Sequence, residues 1–143
     1  MSNNVLEVSL QSIDDKVKFS GASRANPPVI IDYFTPIGTE EGYTPLELLL
    51  LSLSSCVSLT LASVLRNRMK RDIKSLNAKA KGYVKEVHPK VLSKIELELL
   101  IESPDAQESD IESTLVVLEE KLCPVWAMLK GNVEVETKFS IIK

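Results

Sequence analysis

Residues 44–65 read Thr44-Pro-Leu-Glu47-Leu-Leu-Leu-Leu-Ser52-Leu-Ser-Ser-Cys56-Val-Ser-Leu-Thr60-Leu-Ala-Ser-Val-Leu65. The opening is a dense helix-start signal. Thr44 can cap, Pro45 suits the first helical position, and Glu47, three residues after the cap, completes a capping box. Nothing breaks the pattern before about Arg68–Lys70, which predicts a helix of roughly 25 residues and some 37 Å. From Leu48 to Leu65 all 18 residues are uncharged. That length touches the threshold for a membrane span. Against a span, six of the 18 are Ser or Thr: Ser52, Ser54, Ser55, Ser58, Thr60 and Ser63. A helix apolar nearly all round is otherwise a helix buried nearly all round. A chain of 143 residues struggles to enclose so long a helix, so a partner copy is predicted to cover one side.

The flanking segments supply a sheet for this helix to cover. Upstream, Val5–Leu10 and Lys16–Phe19 read as short strands around an Asp14-Asp15 turn, and Val29–Phe34 as a third. Downstream, Ile73–Val84 and Val91–Ile101 flank Glu86-Val-His-Pro89 and predict a hairpin, with Ile95, Leu97, Leu99 and Ile101 on one face. Ser109-Asp-Ile-Glu112 reads as a second capping box, opening a helix that runs to about Lys121. Pro124 then restarts a short helix with Cys123 at its N-cap and Gly131 as its stop, before a last strand over Val133–Ile141. There are no repeats or linkers. The expectation is one α+β domain over residues 1–143.

Composition excludes several function classes. Hydrophobic residues make up 44% and charged residues 26% of the chain, an ordinary globular balance. The net charge of −3 gives no general attraction to nucleic acid or anionic membrane. The basic run Arg66–Lys85 lacks the interleaved aromatics of a nucleic-acid groove. Together with the acidic run Glu102–Glu120, it reads as solvated faces on different elements. One His, two Cys and no CxxC leave no zinc or iron–sulfur ligand set. His88, beside Pro89, reads as a turn residue. The N-terminus carries no basic segment ahead of an apolar one, so a cytoplasmic location is expected.

The two thiols are the remaining chemistry. Mid-helix, Cys56 has Leu53, Val57 and Leu59 around it; such burial raises a thiol pKa, and a plain core residue is the simpler reading. Cys123 at a helix N-cap meets free N–H groups and the positive end of the dipole, which predicts the more activated thiol of the two, although capping alone would also explain it. Their spacing of 67 residues decides nothing.

The segment Gly42-Tyr-Thr-Pro-Leu-Glu-Leu-Leu-Leu-Leu-Ser-Leu-Ser-Ser-Cys56 resembles the first cysteine motif of the OsmC/Ohr family. Leu122-Cys123-Pro124-Val125, followed by Lys130-Gly-Asn-Val-Glu-Val-Glu136, resembles its second. The resemblance covers roughly Val17 to the C-terminus. It implies an OsmC-like fold, with antiparallel sheets wrapped around a long central helix in an intertwined homodimer. It also implies a peroxidase for organic or fatty-acid hydroperoxides with no bound cofactor and no metal. Cys56 would be the peroxidatic thiol, Cys123 the resolving one, and an external dithiol such as a dihydrolipoyl group the reductant. An apolar lining would come from Leu49, Leu53, Trp126 and Met128. Family members ionise the first thiol with an upstream Arg supported by a Glu at the helix start, which here implies Arg24 and Glu47, with Lys18 as a second upstream cation. The peroxidase branch places that Glu directly after the Pro, where this chain has Leu46, so it resembles a divergent OsmC-like branch. The alternative is a dimer of the same fold that binds a small molecule or serves a structural role, with both thiols inert.

Overall fold

The computed structural model describes residues 4–143. The chain forms two compact units, one ending at Leu48 and one beginning at Leu49.

The N-terminal unit is a three-stranded antiparallel sheet, β1 (Ser9–Ser12), β2 (Phe19–Ala22) and β3 (Val29–Ile31), in that order. β1 begins four residues and β2 three residues later than hydrophobicity suggests. The Asp14 carboxylate explains the late start of β2, because it accepts the N–H groups of Lys16 and Lys18 and so extends the turn to Lys18. The loop after β3 is organised by the buried Asp32. Its carboxylate accepts from the N–H groups of Tyr33, Thr39 and Glu41 and from the Thr39 hydroxyl at 2.7 Å. Gly38 makes this possible. A Cβ there would lie 2.3 Å from the Tyr33 carbonyl and 2.4 Å from Asp32 Oδ1.

Burial alone would raise the Asp32 pKa, but the hydrogen bonds from Thr39, Glu41 and Tyr33 outweigh it and hold it at about 2, against an ordinary 3.8. A depressed folded-state pKa contributes stability that is complete above the ordinary value and vanishes as pH falls through the folded one. Asp32→Asn should therefore lower Tm at neutral pH, with the gap to wild type closing between pH 3.8 and about 2. Thermal scans across that range check this.

α1 (Pro45–Ser63) starts as its sequence dictates. The Thr44 N–H donates to Glu47 Oε1 at 2.8 Å, and the Glu47 N–H returns to Thr44 Oγ1 at 3.3 Å. It continues into a π-helical turn, Val64–Arg68, closed by Met69 N–H to the Val64 carbonyl. The helix and turn together are long and apolar enough to cross a bilayer. Within the chain, Leu53, Val57, Leu61 and Leu65 form a stripe with no exposure, while Leu51 is 50% and Leu59 64% exposed.

The C-terminal unit carries a second sheet, β4 (Ser75–Val84), β5 (Leu92–Glu102) and β6 (Glu134–Ile142), with β5 in the centre. The alternation in β5 holds: Ile95, Leu97, Leu99 and Ile101 are buried while Lys94, Glu96 and Glu98 lie on the other face. Gly82 of β4 admits α1 closely, since a Cβ there would meet the Leu50 methyls at 3.1 and 3.2 Å. The expectation of antiparallel sheets needs one correction. β6 pairs with β5 in parallel, Ile95 opposite Val135 and Leu99 opposite Phe139. The long helical crossover between them returns the chain to the same end of the sheet, which permits that direction.

That crossover holds α2 (Glu108–Val117), a second π-helical turn (Leu118–Leu122) and α3 (Pro124–Leu129). The capping residues of α2 lie two positions earlier than Ser109 and Glu112. Asp110 rather than Glu112 closes the box, accepting the Gln107 N–H at 2.8 Å. Arg71 explains the preference: its Nε–H donates to Asp110 Oδ2 at 2.8 Å, so that carboxylate is fixed from two directions. The basic and acidic runs are thus not wholly separate solvated faces, since Asp72 N–H also donates to Asp105 at 2.9 Å.

Candidate active site

Cys56 is in the fourth turn from the start of α1, and Cys123 caps α3. Their sulfurs lie 3.0 Å apart, both free, with the Cys123 thiol donating to Cys56 Sγ. Local rules put each there. Cys56 follows Leu53 by three residues and precedes Val57 by one, so it sits at the margin of the buried stripe and is half-buried. On the other side, the π-helical turn ends at Cys123, whose N–H donates to the Leu118 carbonyl at 3.0 Å. Pro124 cannot supply an N–H, which forces a new helix to begin with Cys123 in extended conformation. The Trp126 N–H then points at Cys123 Sγ from 3.5 Å.

The expectation of an activated Cys123 thiol does not hold. It is 1% exposed. Burial pushes its pKa up to about 11 from an ordinary 9.0, and the hydrogen bond to Cys56 raises it further than the Trp126 N–H lowers it. A short helix offers too little field to offset that desolvation. Cys123 is therefore protonated at neutral pH, and the proton is directed at Cys56.

Arg24, Lys18 and Glu47 belong to the N-terminal unit. Arg24 is exposed in the β2–β3 turn of the N-terminal unit at φ 56°, and among the described residues it forms no ion pair. Glu47 is held at the start of α1 by its capping box. Lys18 pairs with Glu41. Of the residues suggested as apolar lining, Leu53 and Trp126 are buried, whereas Met128 is 71% exposed. Sequence reading missed the Arg71–Asp110 pair, which ties the segment leaving the Cys56 helix to the helix leading toward Cys123. The signal was present in the meeting of a basic run with an acidic one, but nothing in either run specified the partner.

The arrangement is a reduced dithiol. One sulfur is an acceptor at the edge of the core; the other is a buried donor in contact with it. Two-electron oxidation would join them with a small movement of either side chain.

Comparison with known proteins agrees with this architecture. The family model for OsmC-like proteins matches residues 38–138, which include both thiols. A hypothetical protein from Aquifex aeolicus VF5 superposes with a TM-score of 0.82 at 24% identity, over 96% of each chain. An OsmC-like protein from Mycoplasma pneumoniae gives 0.82 at 18% identity, over 99% of this chain and 100% of the other. An organic hydroperoxide resistance protein from Legionella pneumophila gives 0.74 at 13% identity, over 98% and 99%. No curated protein matches by sequence. With a helix that starts at Pro45, a thiol at its centre and a second thiol before Pro124, matched along most of its length, this chain belongs to the OsmC-like protein family.

Proposed function

We propose that this protein is a cysteine peroxidase that reduces organic hydroperoxides, working as a cytoplasmic homodimer with an external dithiol. The observation that carries the reading is the 3.0 Å separation of two free thiols, one donating to the other. Relatives of the same fold include proteins named for organic hydroperoxide resistance.

In the proposed cycle the Cys56 thiolate attacks the distal oxygen of ROOH. The O–O bond breaks, the alkoxide takes a proton and leaves as ROH, and Cys56 becomes a sulfenic acid. Cys123 then attacks that sulfur. An S–S bond forms, the S–O bond breaks, and the hydroxyl leaves with the Cys123 proton as water. A dithiol such as a dihydrolipoyl group restores both thiols by exchange and is itself oxidised to a cyclic disulfide. By family resemblance Arg24 is assigned the role of cation toward Cys56, and Glu47 that of support at the helix start. The test is consumption of cumene hydroperoxide by the reduced protein with dihydrolipoate or dithiothreitol. Peroxide should disappear in proportion to dithiol oxidised; no consumption with either reductant would leave the inert-dimer reading in its place.

The dimer is proposed from the exposed face of α1. Leu51 and Leu59 stand in solvent on a helix without charge between Leu48 and Leu65. A second copy, rather than lipid, suits a face that also carries Ser52, Ser55 and Ser63. Leu59→Glu is expected to convert dimer to monomer in sedimentation. Wild-type protein partitioning with membranes would favour lipid instead.

A further inference from the structure

Two reduced thiols in contact form a chelating pair, and we infer that Cys56 and Cys123 together bind monosubstituted trivalent arsenicals, closing them into a cyclic dithioarsinite. The inference needs only the two reduced sulfurs and does not rest on the peroxidase reading.

Geometry selects the ligand class. If bonds from sulfur to a soft centre have about the 2.3 Å length of zinc–thiolate bonds, two of them span about 4.6 Å end to end but about 3.3 Å when folded to a right angle. Sulfurs 3.0 Å apart suit the folded, pyramidal bite of trivalent arsenic and oppose the linear bite of two-coordinate soft metal ions. Zinc has a different deficit. It takes four ligands in a structural site, and among the described residues no group of three or more His, Cys, Asp and Glu converges. An arsenical brings its own third substituent and asks the protein for two sulfurs only.

The chemistry balances without a redox partner. The oxide R–As=O and two thiols give two As–S bonds and one water, whose two hydrogens come from the thiols and whose oxygen comes from arsenic. Arsenic stays trivalent and both sulfurs stay at the thiol level. Cys56, half-buried, takes the first bond. Cys123, buried but already in contact with it, closes the ring. Because the second bond forms within the protein, its effective concentration is high, and losing it costs about 10²-fold or more in affinity.

Phenylarsine oxide is the probe. Reduced wild-type protein should take up one equivalent, gain the mass of one phenylarsenic group less two hydrogens, and lose both titratable thiols together. Cys56→Ser and Cys123→Ser should each bind about 10²-fold more weakly or worse. A measurement on wild type alone guards against misfolded variants. Dimercaptopropanol should release the probe, whereas mercaptoethanol at the same thiol concentration should not. Two thiols still titratable after treatment, or release by both reagents alike, would overturn the inference. Uptake without hydroperoxide consumption would uphold it and remove the peroxidase; consumption without uptake would do the reverse.

Discussion

Cys56→Ser is expected to reduce dithiol-dependent consumption of cumene hydroperoxide to the rate seen without protein. The reason is specific to sulfur. A thiolate is a polarisable nucleophile available near neutral pH, whereas a serine hydroxyl at the same position stays protonated and does not cleave an O–O bond. Enzymes commonly accelerate their reactions by about 10⁶-fold or more, and all of that acceleration is assigned to this atom. The substitution is nearly isosteric and lies at the margin of the stripe formed by Leu53, Val57 and Leu61 rather than within it. Folding should therefore survive, which circular dichroism and thermal scans would show. A Cys56→Ser protein that still consumed peroxide would move the nucleophile elsewhere.

Cys123→Ser should behave differently. The first step remains, so one equivalent of peroxide is consumed per chain in a single burst. Without a second sulfur in contact, the sulfenic acid on Cys56 has no partner within the chain. Dimedone should trap it, and excess peroxide should carry it on to the sulfinic acid. Turnover falls from many cycles to one. The buried position of Cys123, with a pKa near 11, fits the resolving role. Across neutral pH it is a proton donor, and in the proposed cycle it acts only after its neighbour has been oxidised. Steady consumption by Cys123→Ser at the wild-type rate would mean that an external thiol resolves Cys56 directly.

Much of the fold could be read from the chain because local rules agreed with the tertiary outcome. Thr44, Pro45 and Glu47 start α1 as their types require, and the alternation through Ile95–Ile101 puts one face of β5 in the core. Where reading failed, a longer-range partner had intervened. Arg71 claims Asp110 and moves the start of α2, and the helical crossover turns β6 parallel to β5. The site was legible only in part. Each thiol had a recognisable setting, but the 3.0 Å contact between them depends on the packing of elements 67 residues apart. The acidity of Cys123 was misjudged because N-cap position is visible in sequence while desolvation is not.

The most direct test is to treat the fully reduced protein with one equivalent of cumene hydroperoxide and map its peptides without reductant. Loss of two hydrogens per chain, with a single cross-linked peptide joining Cys56 to Cys123 of the same chain, is the predicted result. Both cysteines recovered as free thiols, or Cys56 joined to Cys56 of another copy, would contradict it.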